Sequence, residues 1–234
     1  MSSILKSLAL AAALAMPTLP ALAAAPASPV FEQPLAGTPN FTGKWLIANP
    51  PRRLRTLSGA EPPLNAAGKA AYARNQAALK ASPKADPIAD CLPHGVPRVV
   101  YSAHPMLILQ TTRLVTFIYA ANHTVRTVWW NAPPPEDPTP LWLGDPSARW
   151  DGKTLVVDTI NQNDKTWLDW SGLPHGETLK VQERYTLAGP ATIRGEVTID
   201  DPEFYSAPWK TSFTLKKLPG VTMTERACGQ DHVM

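Results

Sequence analysis

From residue 98 onward, apolar and polar positions exchange with a period of two. The runs are Arg98 to Ser102, Met106 to Thr111, Leu114 to Ala120, Thr124 to Trp130, Ala148 to Trp150, Thr154 to Ile160, Thr178 to Leu187, Ala191 to Asp200, Trp209 to Lys217 and Val221 to Arg226. Side chains on a strand alternate between two faces, so each run predicts a strand with one face buried. Turn signals separate the runs at Ala121-Asn122, Asp151-Gly152, Ala188-Gly189-Pro190 and Leu218-Pro219-Gly220. Asp-Gly accepts the positive φ of a type I′ turn, which predicts a tight hairpin at Asp151-Gly152. Upstream, Phe41 to Leu46 predicts one more short strand. The stretch after Asn65, AAGKAAYARNQAALKA, is rich in helix formers and has a competent N-cap. Its apolar stripe of Tyr72, Ala78 and Leu79 is narrow, so this helix near 65–82 belongs on the flank and not in the core. So many antiparallel strands in succession predict a mainly β, single-domain meander. Closure into a barrel removes the exposed edges of an open sheet, and a β-sandwich is the alternative. The 26 prolines belong in loops, because proline takes a donor out of a ladder.

The first 40 residues carry a different pattern. Lys6, the apolar run Leu8 to Met16 and the small-residue site Ala21-Leu22-Ala23 read as an export signal over 1–23. Residues 24–40 are rich in Ala and Pro and predict an extended tether, with one β-rich domain over 41–234. No later segment reaches the ~20 apolar residues of a membrane-spanning helix, so the expected location is periplasmic or secreted. The formal charge of +3 provides no basic stripe for nucleic acid, and Arg52, Arg53 and Arg55 read as a solvated loop. The two cysteines, Cys91 and Cys228, are expected to pair in an oxidising compartment. Such a bridge would stabilise by about 2 to 5 kcal/mol.

Candidate chemistry comes from the strand faces and from one long loop. Leu179, Val181, Tyr185 and Leu187 share a face with Glu183, which places a carboxylate among apolar neighbours. Burial disfavours its ionised form, so Glu183 is either neutralised by an arginine, Arg126 or Arg194, or held as an acid. The segment Trp167, Asp169, Trp170, His175 and Glu177 crowds polar and aromatic groups into eleven positions. There His175 is a candidate acid or base, with Asp169 or Glu177 orienting it, against the plainer reading of a loop histidine in a Gly-Leu-Pro-His-Gly turn. Trp167, Trp170 and Trp209, with Tyr185 and Asp158, are candidate walls of a ligand pocket. The five histidines, His94, His104, His123, His175 and His232, have no metal-ligand spacing. Asp200-Asp201-Pro202 reads as a strand end, and no metal or cofactor is expected. There is no Gly-x-Ser-x-Gly elbow and no glycine-rich phosphate loop.

Several spaced segments together resemble a family of uncharacterised bacterial exported β-rich proteins. They are CLPHGVPR from Cys91, LILQT from Leu107, LWLGDPSARWDGKTLVVDT from Leu141, WLDWSGLPHGE from Trp167 and TIDDPEFYSAPW from Thr198. In place of the family's Gly-Arg-Pro-His run, this chain has Asn131-Ala132-Pro133-Pro134-Pro135. Gly43-Lys44-Trp45 on the first strand resembles the lipocalin and calycin signature, which implies a barrel. The function expected is an exported barrel that holds a small apolar or aromatic ligand inside, with Glu183 as its polar anchor. A cofactor-independent lyase, isomerase or hydratase using the same pocket, and an envelope polysaccharide-binding protein, are the alternatives.

Overall fold

A computed structural model of the chain describes residues 34–137, 139–220 and 222–223. Its elements are β1 (Gly43–Ile47), α1 (Ala66–Ala81), β2 (Met106–Gln110), β3 (Leu114–Tyr119), β4 (Val125–Trp130), β5 (Asp145–Asp151), β6 (Thr154–Ile160), β7 (Lys180–Leu187), β8 (Thr192–Asp200) and β9 (Trp209–Lys217). The nine strands follow one another around a closed, lipocalin-like barrel, and β9 returns to pair with β1 from Trp45–Lys217 to Ile47–Leu215. The signal segment, Cys228 and most of the run Val221 to Arg226 lie outside the described residues. No described helix is long and apolar enough to cross a membrane.

Four expectations are corrected in detail. Arg98–Tyr101 is a 3₁₀ turn, and all four of its residues are buried, which one strand with a single buried face cannot achieve. The meander is antiparallel except at one seam, where β4 and β5 run parallel through Trp129–Ser147 and Trp130–Ala148. After β4, Pro133, Pro134 and Pro135 have no N–H to continue a ladder, so the next strand does not follow as a hairpin. In the β5–β6 hairpin only Gly152 of the Asp-Gly pair has positive φ, at 58°, because Asp151 already pairs with Thr154. The turn is therefore Gly152-Lys153, with glycine first, as in type II′. At the tether, Thr38 N–H donates to the Leu35 carbonyl at 3.1 Å, so residues 35–38 form a turn.

The barrel is filled by its own side chains. Phe117 on β3 and Tyr185 on β7, from opposite walls, approach to 5.5 Å between ring centroids. Tyr185 and Phe213 on β9 lie 5.4 Å apart, and Tyr101 meets the same Phe213 edge-on at 5.8 Å. Phe213 fits because its partner across the β8–β9 ladder is Gly195, where a Cβ would sit 2.0 Å from the Phe213 ring.

The registers sort the connections by end. Residues 111–113, 152–153 and 188–191 turn tightly at one end, whereas 48–105, 120–124, 161–179 and 201–208 gather at the other. Helix α1 flanks that second end. Asn65 caps it by accepting from Gly68 N–H at 2.9 Å, and its Nδ2 donates to the Glu203 carbonyl at 3.0 Å. Farther along, Asn75 Nδ2 donates to the Gly172 carbonyl at 3.0 Å. Long connections concentrated on one rim of a rigid barrel are where a site is to be sought.

Candidate functional site

Inside the barrel, Glu183 has a partner. Arg126 Nη1 lies 2.6 Å from Glu183 Oε2, Tyr185 Oη donates to Oε1 at 2.6 Å, and Arg126 Nη2 donates to Thr159 Oγ1 at 2.5 Å. Alternation sends Arg126 inward and leaves Arg194 exposed, which decides between the two arginines. Burial works against the Arg126 charge, but Glu183 and the neighbouring phenols outweigh it and raise the pKa above its ordinary value. Burial first, then the Glu183 charge, pushes the Tyr185 phenol well up, so it stays a donor. Glu183 and Tyr185 are both at 0% exposure and bonded to each other. They complete the lumen and turn no free face to a ligand.

The long loop at the rim is held from within. Asp169 is a staple: its carboxylate accepts from the N–H groups of Leu54 at 2.8 Å, Ser171 at 2.8 Å and Leu173 at 3.2 Å. His175 is buried, with Nε2 2.8 Å from Thr166 Oγ1 and Nδ1 3.2 Å from the Gly176 carbonyl. Its pKa is lowered by burial, against the opposing pull of that carbonyl and of Asp201. Asp169 is not among its hydrogen-bond partners. Strand β7 begins only at Lys180, so the alternation does not extend to residue 175, and Glu177 is exposed while His175 is buried. Trp167 and Trp209 are buried, Trp209 with its ring 5.5 Å from Tyr205. Asp158 is half-buried on the outer wall, paired with Arg149 and accepting from Gln182 Nε2 at 2.8 Å. Of all these residues, Trp170 alone lines the cleft described next.

That cleft, about 730 Å³, opens at the rim where the long connections meet. Pro50, Pro51, Ile88, Ala121 and Trp170 give it apolar surface, with Lys84, Asp86, His94, Ser102 and His104 as polar groups. Local chemistry fixes its floor. Gln162 clamps Val96 from both sides, accepting from its N–H at 2.8 Å and donating to its carbonyl at 3.0 Å. Gly95 sits in this segment with φ of 73°, where a Cβ would lie 2.5 Å from Thr166 Oγ1, so glycine is required. The clamp positions His94 on one side and Arg98 on the other. Asp86 starts the 3₁₀ turn Pro87–Asp90 by accepting from Ile88 N–H at 3.2 Å, and its two oxygens take a bidentate pair from Arg98 at 2.8 and 2.5 Å. The same guanidinium lies 5.0 Å from the centre of the Trp170 ring, which braces that indole as a wall.

His94 is 6% exposed, and its Nδ1 is buried without a hydrogen-bond partner. Burial first, and the Arg98 charge second, lower its pKa to about 4, with Asp86 opposing. The ring is therefore neutral at neutral pH. Sequence reading passed over His94, Asp86 and Arg98, and the available signal was their position in and just before CLPHGVPR. Among the described residues no group of three or more His, Cys, Asp and Glu side chains gathers closely enough to hold a metal ion. Comparison with family models, with curated proteins and with solved structures found no match for this chain.

Proposed function

We propose that this is an exported barrel protein that binds a small molecule with an apolar or aromatic part in the rim cleft and not in the lumen. One observation carries the reading: a cleft of about 730 Å³, within the size range of small-molecule pockets, walled by an indole that a buried ion pair holds in place. The filled lumen supports it, because among the expected wall residues Trp170 lines an open cleft while Trp167 and Trp209 are buried. Titration of the mature chain with a panel of aromatic compounds, followed by calorimetry and melting temperature, tests it. Saturable binding lost in Trp170→Ala is expected; binding unchanged in that variant overturns the assignment to the rim.

Export and a Cys91–Cys228 bridge belong to the same proposal, supported by the leader-like segment 1–23 and by the even cysteine count. Cys91 is exposed at the end of the 3₁₀ turn after Asp86, and Cys228 lies outside the described residues. Alkylation of unreduced protein purified from the periplasm should leave the intact mass unchanged. Two added alkyl groups would exclude the bridge.

A further inference from the structure

We infer that the ligand of the rim cleft is an aromatic carboxylate, its ring against Trp170 and its anionic group taken by His94, Lys84 and Arg52. The inference rests on the rim-cleft reading and adds the charge of the ligand. Three observations lead to it, the first being the balance of charge. Among the described residues Asp86 is the only carboxylate lining the cleft, and both its oxygens are engaged by Arg98. Lys84 and Arg52 also line it, both exposed, and neither is in an ion pair among the described residues, whereas the neighbouring Arg53 and Arg55 are tied to Glu61. The cleft thus keeps uncompensated positive charge at its rim, which favours an anion over a cation or a neutral molecule.

The second observation is the tautomer that the surroundings of His94 impose. A neutral imidazole carries one proton. On Nδ1 that proton would be a buried donor with no acceptor, the costlier way to leave the atom unpaired. The proton therefore belongs on Nε2, and an Nε2–H on a cleft-lining ring is a donor that a carboxylate oxygen satisfies. His94 is held neutral by burial and by the Arg98 charge, so this donor persists across the neutral range.

The third observation is the flat apolar surface beside these donors. Trp170 lies tilted to His94 with centroids 6.3 Å apart, so an aromatic ring resting on the indole brings a substituent to the imidazole. Ile88 and Ala121 add aliphatic surface to the same cleft. An aromatic ring bearing a carboxylate uses the indole, the imidazole donor and the rim cations together.

The test is calorimetric titration of the mature chain at pH 7 and low salt with 2-naphthoate and its neutral counterpart, 2-naphthalenemethanol. The carboxylate is expected to bind about tenfold tighter or more, as a charge-assisted hydrogen bond with nearby cations implies. Raising the salt to about 0.5 M should narrow that gap, because rim charges are screened. The double variant Lys84→Ala/Arg52→Ala, at exposed positions that leave folding intact, should remove most of that gap, the remainder being the stronger hydrogen bond that a carboxylate accepts from His94. Equal binding of the two compounds to the native chain would overturn the inference and leave the rim-cleft reading standing. Carboxylate binding that survives Trp170→Ala would overturn both, as would the absence of binding by either compound.

Discussion

Two fully buried arginines, one in the lumen and one at the rim, are built from the same parts and do different work. Arg126 pairs with Glu183 and lies 5.9 Å from the Phe117 ring centre, while Arg98 pairs with Asp86 and lies 5.0 Å from that of Trp170. In the lumen the carboxylate side chain is 0% exposed and its second oxygen accepts from Tyr185. At the rim the Asp86 side chain is 12% exposed, and the pair underlies an open cleft. The same guanidinium, carboxylate and ring stabilise a closed core in one place and hold a binding wall in the other. What separates them is whether any surface is left over for a third molecule.

Breaking the lumen pair should have the largest effect. Glu183→Ala leaves the Arg126 charge buried and unpaired, and a loss of about 3 to 5 kcal/mol is expected in chemical denaturation. Replacing both partners, Arg126→Met with Glu183→Leu, should recover most of it, since the desolvation cost of the charges disappears with them.

Acid should destabilise the protein at His94. His94 has a folded pKa of about 4 against an ordinary 6.5, so above pH 6.5 both states are neutral and it contributes nothing to the pH dependence. Below that, the unfolded chain takes up a proton that the folded chain refuses, and stability falls as pH falls. The loss attributable to His94 is about 3 kcal/mol by pH 4. His175, also lowered, adds to it in the same direction. Denaturation curves at pH 7, 5.5 and 4.5 should show this slope, and His94→Gln should flatten it; a slope unchanged in that variant would remove His94 from the account.

Gly195→Ala probes how tightly the lumen is packed. A Cβ there meets the Phe213 ring at 2.0 to 2.3 Å, so that ring must move, at an expected cost of about 1 to 3 kcal/mol read from the midpoint of urea denaturation. The smallest effect on stability belongs to the rim cations. Lys84→Ala should change stability by less than about 0.5 kcal/mol, the range of an exposed side chain outside any network. A rim substitution that changes affinity without changing stability would sharpen the contrast with the lumen.

What the sequence determined by itself was local. Alternation assigned Glu183, Val181 and Tyr185 to one buried face, and Arg126 was one of the two arginines named as a partner for Glu183. Helix chemistry placed the cap of α1 at Asn65, where the structure has it. These readings hold because strand faces, caps and turns depend on neighbours a few residues away. They fail where that local rule stops, as at His175, whose spacing to Glu177 has no meaning off a strand, and at Arg98–Tyr101, where four consecutive residues are buried. Tertiary structure alone decided the rim. Asp86, His94 and Arg98 come from the connection 48–105 and Trp170 from 161–179, and no short-range pattern links the two. They converge because strand order and register bring those connections to one end of a closed barrel, where Gln162 and Arg98 bind the segments together.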